Sequence, residues 1–287
     1  MEKKLRTPFK WTGGKRQLLP ILHPLVPMSY RRYIEPFAGG AALFFSLAPE
    51  KAVIGDINET LMLTYKVIRD ECEDLLQHLS VHQNQEAYYY AVRDLDRLPL
   101  YDRMSNVEKA SRFLFLNKTG YGGLYRINKK GQVNVPFGRY KKVNIVNEKV
   151  IRKASEYLNG EHISLMKADF LTTAEQAKEG DFVYLDPPYY FGSDRNFAAY
   201  APRFTLYDHI RLKRMFSQLN DRGCYVVLSN SDTQAIRELY NEFHIQPVEV
   251  TRLVNRDTNK RKGSGELLIM NDRLWREKQT ESSCVDE

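Results

Sequence analysis

The sequence predicts an α/β fold with a mostly parallel sheet, interrupted by an inserted segment of helices and a β-hairpin. Three observations carry that expectation. Short apolar runs ending in an acid alternate with stretches of helical periodicity, the pattern of a parallel sheet covered by helices. The alternation stops near Ser80 and resumes at Lys149. The segment between is rich instead in Gly, Asn and cations, and "INKKGQVNV" within it has the shape of a hairpin.

Each element has a local reason. "RRYIEPFAGG" reads as a strand from Arg32 to Glu35 followed by a Gly-containing turn, and "AALFFSLA" as a buried helix. "KAVIGDIN" is a second strand ending at Asp56, and "ETLMLTYKVIRD" has helical spacing of apolar residues. "EAYYYAVRDLDRL" and "SNVEKASRFLFLNKTG" are helical stretches of the inserted segment. "HISLMKADF" is a strand running to Asp169. In "DFVYLDPPYY" the prolines lack the N–H that a central strand needs, so the strand stops near Asp186. "TLYDHIRLKRMFSQLNDRG" is a helix closed by Gly223, and "CYVVLSN" is a further strand. "FHIQPVEVTRL" and "GELLIMND" form a closing pair of strands, and the tail "EKQTESSCVDE" is expected to be loose.

Composition narrows the function. The 287 residues are 43% hydrophobic, enough for a core, and no apolar run is long enough to span a bilayer. "MEKKLRTPFK" has no apolar stretch of the secretory kind, so a cytoplasmic protein is expected. Cys72, Cys224 and Cys284 are far apart and form no CxxC, which argues against a disulfide framework or a zinc ribbon. His78 and His82 lie four apart without the acid of HExxH and read as a solvated helix face, so no metal is expected. The net charge of +7 favours a polyanionic partner, and its placement sharpens the point. From Lys118 to Lys142 the chain carries Arg126, Lys129, Lys130, Arg139 and Lys141 and no acid.

Asp56, Asp169 and Asp186 each fall at the carboxyl end of an expected strand, the edge where open α/β sheets bind ligands. The glycines of "EPFAGGAA" let backbone approach a ligand, and Asp56 follows at nearly the spacing of an acid that holds ribose hydroxyls. A nucleoside-bearing ligand follows. "FAGGAALF" departs from GxGxxG, so pyrophosphate binding is not expected. "WTGGKRQ" lacks the upstream glycine, the Ser or Thr after Lys15 and the preceding strand of an ATP-binding loop. In "DPPY", the Asp186 carboxylate and the Pro187 carbonyl can accept both hydrogens of an aromatic amino group, while Tyr189 stacks on its ring. Two such acceptors free the nitrogen lone pair and stabilise the charge that attack creates.

These residues match a family. "KWTGGK" at 10–15, "EPFAGG" at 35–40, "GDIN" at 55–58, "NKTGYGGLYRINKKGQVNVPFGRYKK" at 117–142 and "DPPY" at 186–189 resemble the Dam-type DNA adenine-N6 methyltransferases, in the family's order and over nearly the whole chain. The resemblance implies a Rossmann-like class I methyltransferase fold. The catalytic domain would span 1–60 and 148–277, the target-recognition domain 61–147, and a flexible tail 278–287. It implies S-adenosyl-L-methionine as donor and a flipped adenine of duplex DNA, within GATC, as acceptor, for a monomer in solution. Trp11, Lys15, Phe37, Gly39, Asp56, Asp169, Phe170 and Asp186 would line the cofactor site. Asp186, Pro187 and Tyr189 would hold the adenine. Lys10 would read a guanine edge; Tyr121, Leu124, Arg126 and Pro136 would read bases; Asn128, Asn134, Arg139 and Tyr140 would contact the DNA backbone. Two departures stand out. Gly122 takes the place of an Asn in well-known bacterial members, and Ala41 stands at the second glycine of the commoner F-x-G-x-G.

Other amines are the rivals. Protein-glutamine enzymes typically present NPPY and cytosine-N4 enzymes SPPY, and Asp186 argues against both. RNA adenine is disfavoured by the insert, since a base-reading hairpin suits the major groove of DNA and A-form RNA hides that groove. A non-catalytic DNA-binding protein on the same fold would have little use for an intact "DPPY" and Asp56.

Overall fold

A computed structural model describes residues 5–190, 204–250 and 264–283. In chain order, α1 (Leu19–Leu22) precedes β1 (Tyr33–Glu35), followed by α2 (Ala42–Leu47), β2 (Ala52–Asp56) and α3 (Glu59–Asp70). The next helices are α4 (Cys72–Ser80), α5 (Glu86–Asp94), α6 (Leu100–Arg103), α7 (Asn106–Thr119) and α8 (Glu148–Leu158). Then come β3 (Ile163–Lys167), α9 (Phe170–Ala174), β4 (Phe182–Leu185), α10 (Leu206–Asp221), β5 (Tyr225–Ser231) and α11 (Gln234–Leu239). The described chain closes with β6 (His244–Val250), β7 (Ser264–Met270) and α12 (Asp272–Ser283).

The seven strands form one sheet in the order β3-β2-β1-β4-β5-β7-β6. β7 is antiparallel to both its neighbours, and the other pairings are parallel. This is the mostly parallel sheet that the sequence predicts. The order reverses between β1 and β4, so the crevice at their carboxyl ends is the topological switch point.

Period-two alternation buries both faces. Tyr33, Phe182, Tyr184, Val227, Leu268 and Met270 join one core, while Ile34, Val183, Leu185, Val226, Leu228, Leu267 and Ile269 join the other. Leu61, Met62, Tyr65, Leu75, Leu79, Phe113 and Leu114, from α3, α4 and α7, share the first core, so the packing does not break at 60/61. A separate small cluster of Tyr89, Val92, Phe115, Leu116, Val133 and Val135 holds the rest of the insert together.

Several local expectations change. β1 starts at Tyr33 rather than Arg32, and β3 stops at Lys167, because Asp169 turns to cap α9 by accepting the Leu171 N–H. The hairpin is reduced to one antiparallel bridge, Ile127 to Val133, because the Asn128 carboxamide oxygen takes the N–H groups of Lys130 and Gln132 at the tip. His82 is not on a solvated face. Its ring stacks on Phe115 at 4.4 Å and bonds the hydroxyls of Tyr88 and Ser111. Residues 278–283 are not loose but complete α12, pinned by Lys278 Nζ on the Val26 carbonyl at 2.7 Å; residues 284–287 lie outside the described chain.

Candidate active site and nucleic-acid face

Asp56 and Asp186 stand at the carboxyl ends of β2 and β4, the strands on either side of β1. Asp56 ends β2, and its oxygens accept the N–H groups of Gly39 and Asn58, both at 2.9 Å. Burial pushes its carboxyl above the usual range, while the backbone N–H groups of Asn58, Gly39 and Ile57 pull it back. Gly39 is left-handed (φ 45°), and an added Cβ would stand 2.7 Å from Trp11, so only glycine fits under that indole. Ala41 is also left-handed (φ 47°), which explains the commoner glycine at that position. Phe37 stacks on Phe170 at 5.1 Å, and Arg211 covers the Phe170 ring while reaching Asp169.

Asp186 follows β4 directly. Lys15 Nζ contacts its Oδ1 at 2.9 Å, and Ser229 donates to the same oxygen at 2.8 Å. Oδ2 is left without a hydrogen-bond partner among the described residues. Lys15 also donates to the Gly13 carbonyl and lies 4.5 Å from the Tyr189 ring centroid. Tyr189 Oη donates to Glu266 at 2.8 Å. The backbone of Tyr190 is held at both ends: its N–H by Asn230 and its carbonyl by the Ser231 hydroxyl.

The geometry thus brings together Lys15, Asp186 and Tyr189, with Gly39 and Asp56 beside each other on the same edge. It also reveals residues that motif reading passes over. Ser229, Asn230 and Ser231 are three successive polar residues, all buried, at the carboxyl end of an apolar central strand. That break in an apolar run was the available signal. Glu35 is fully buried and accepts the Tyr33 hydroxyl at 3.0 Å. Burial pushes its carboxyl well above the usual range, the Tyr33 bond opposes this, and Asp186 and Asp56 add to it.

On the insert, Asn117 lies in the last turn of α7 and is buried with its carboxamide spent. It accepts the Lys10 N–H at 3.0 Å and donates to the carbonyls of Lys10 (2.8 Å) and Gly123 (2.9 Å). This docks the N-terminal strand of chain on the loop 120–124, where Tyr121 is 49% exposed and Leu124 half-buried. Gly122 is left-handed (φ 66°), a conformation that Gly and Asn both tolerate, so the change from Asn removes a side chain and keeps the loop shape. Its N–H donates to Tyr140 Oη, and the Pro136 carbonyl accepts from Tyr121. Arg126 is aligned by Asn134, whose side-chain and main-chain oxygens accept its guanidinium at 2.7 and 3.0 Å. Asn128 is committed to the hairpin tip, and Arg139 is exposed beside Glu86. Lys118 is pushed down to about 8, first by burial and then by Lys10 and Arg16.

Residues 11–254 match the family model of the D12 class N6 adenine-specific DNA methyltransferases. The chain belongs to this family. The type II methyltransferase M1.LlaDCHI of Lactococcus lactis subsp. cremoris is 44% identical, covering 93% of this chain and 95% of that protein. The type II methyltransferase M.MjaIII of Methanocaldococcus jannaschii is 38% identical over 92% of this chain and 98% of its own. The DNA adenine methylase of Escherichia coli K12 is 32% identical over 93% and 96%. As a D12 enzyme the protein is an adenine-specific DNA methyltransferase that uses S-adenosylmethionine. Among the described residues no helix is long and apolar enough to cross a membrane.

Proposed function

We propose that the enzyme methylates N6 of an adenine swung out of duplex DNA, within GATC. The carrying observation is the fixed orientation of Asp186. Lys15 and Ser229 both hold Oδ1, which leaves Oδ2 as the acceptor for an amino hydrogen. The Pro187 carbonyl takes the second hydrogen, and Tyr189 stacks on the ring. Pulling on both hydrogens frees the lone pair for attack and stabilises the charge that develops.

The crevice residues suit the cofactor. Asp56 offers an anchored anion for ribose hydroxyls, the Phe37 and Phe170 rings offer faces for a purine, and left-handed Gly39 leaves backbone open to approach. Trp11, Lys15, Asp169 and Asp186 complete that lining. S-adenosylmethionine supplies an electrophilic methyl group when bound there.

On the DNA side, residues 61–147 act as the target-recognition domain, and Lys10 reads a guanine edge beside the loop 120–124. Tyr121, exposed at its tip, braces the gap that the adenine leaves. Leu124, Arg126 and Pro136 read bases, and Asn128, Asn134, Arg139 and Tyr140 meet the DNA backbone. The GATC assignment rests on the likeness of "NKTGYGGLYRINKKGQVNVPFGRYKK" to the Dam-type recognition segment. The protein acts as a cytoplasmic monomer in this reading.

Incubation with unmethylated genomic DNA and cofactor, followed by sequencing that maps modified bases, tests the target. Modified adenines confined to GATC are expected; methylation at other sites or on cytosine overturns it. Asp186→Ala should lower turnover by about two to three orders of magnitude while duplex affinity holds. Arg126→Ala should relax discrimination at one base pair, by roughly 1–3 kcal/mol, whereas Arg139→Ala should weaken all duplexes alike.

A further inference from the structure

Glu266 lies on β7 among Leu267, Leu268, Ile269 and Met270, all buried apolar side chains, and is itself only 7% exposed. A carboxylate is costly to bury, and an apolar residue would suit that strand better. Among the described residues Glu266 accepts the Tyr189 Oη–H at 2.8 Å. Burial, together with Asp186 and Glu266, pushes the Tyr189 phenol well above its ordinary value, so the phenol keeps its proton and donates it.

Two consequences follow. The Tyr189 ring is fixed at its far end by this bond and at its near end by the stiff Pro187-Pro188 backbone. A phenol that donates to an anion also carries extra electron density, which deepens the negative face of its ring. That ring faces a cation: Lys15 Nζ lies 4.5 Å from the centroid. Methyl transfer breaks a C–S bond, forms a C–N bond at N6 and releases one proton from that nitrogen to solvent. Positive charge therefore builds on the amine before the proton leaves, beside this ring.

We propose that Glu266 is a positioning residue for methyl transfer that acts through Tyr189, holding the ring in place and polarising it toward the charge developing on the amine. The inference rests on the reading of Tyr189 as the residue that stacks on the target adenine.

The test is a double-mutant cycle on the full-length enzyme with a hemimethylated GATC duplex, reading single-turnover rate, KM for DNA and thermal midpoint. Glu266→Gln keeps an acceptor for the phenol but removes the charge. It should lower the methyl-transfer rate roughly 3- to 10-fold, with KM and thermal midpoint unchanged. Glu266→Ala should cost more, and in a Tyr189→Phe background neither substitution should cost anything further. Wild-type rate in Glu266→Gln overturns the proposal, as does an undiminished loss in the Tyr189→Phe background. Should Glu266→Ala fail to fold, the isosteric Glu266→Gln decides alone. Tyr189→Ala separates this inference from the site reading beneath it. A large loss there with wild-type Glu266→Gln rejects Glu266 only, whereas full activity in Tyr189→Ala rejects the stacking role itself.

Discussion

Asp56 and Asp186 are both half-buried carboxylates at strand ends, yet they are held in different ways. Asp56 accepts two backbone N–H groups, from Gly39 and Asn58, so its orientation survives loss of any one side chain around it. Asp186 takes its orientation from side chains, Lys15 and Ser229. Asp56→Ala should weaken cofactor binding by roughly 1.5–3 kcal/mol, the worth of hydrogen bonds to a charged acceptor, and leave duplex affinity near wild type; calorimetric titration of the cofactor measures it. Unchanged affinity would make Asp56 a purely structural residue. Ser229→Ala should lower turnover about tenfold with little change in KM for either substrate, because Lys15 alone then orients the Asp186 carboxylate. The carboxylates themselves were legible in the sequence, since an acid after an apolar run is a visible pattern. The polar break at Ser229 was visible too, but its role was not, because that role exists only once β4 and β5 lie side by side, 43 residues apart in sequence.

At the scale of elements, most helices were readable because each carries its own start and stop. Ser105 with Glu108, and Thr205 with Asp208, form capping boxes at α7 and α10, and left-handed Gly223 follows α10. What joins α4, α5 and α7 was not readable, because it is a contact between residues that each look like surface. His82 follows α4 and bonds Tyr88 on α5 and Ser111 on α7, with its ring flat on Phe115. Burial, reinforced by His78, pushes its imidazole down to about 4. His209 on α10, packed edge-on to Phe204, is likewise pushed down to about 4 by burial, against Asp208 and Pro188, which raise it. The unfolded chain therefore takes up protons near pH 6.5, before the folded one does. Stability is fully present above that value and is lost as the pH falls toward about 4, by roughly 2–3 kcal/mol for each histidine. Urea denaturation at pH 7.5, 6, 5 and 4 should show this decline, and His82→Gln should flatten it by about half. A His82→Gln protein with the wild-type slope would remove His82 from the cause.

Across the whole molecule, the N-terminal segment, the insert and the sheet are joined through contacts spread along the chain. Asn117 clamps Lys10 from 107 residues away, and Trp11 stacks on Tyr125 at 5.9 Å while lying against Gly39. The sheet could be expected from the alternation of elements, but the docking of the insert on the crevice could not, since it depends on these distant pairs. Docking also concentrates charge. Lys10, Arg16 and Lys118 come together, and burial with these two cations leaves the Lys118 ammonium pushed down to about 8. A DNA phosphate placed against it favours the charged form, so binding above that pH must take up a proton. The association constant for duplex DNA should therefore be level below about pH 7 and decline as the pH rises through about 8, up to tenfold for each pH unit beyond. Lys118→Gln should bind more weakly at pH 7, reduce the slope of log affinity against log salt by about one, and abolish the decline between pH 8 and 9.5. Fluorescence anisotropy with a labelled GATC duplex across that range reads all three quantities. Wild-type affinity that does not change with pH, or a decline that persists in Lys118→Gln, would place the phosphate elsewhere.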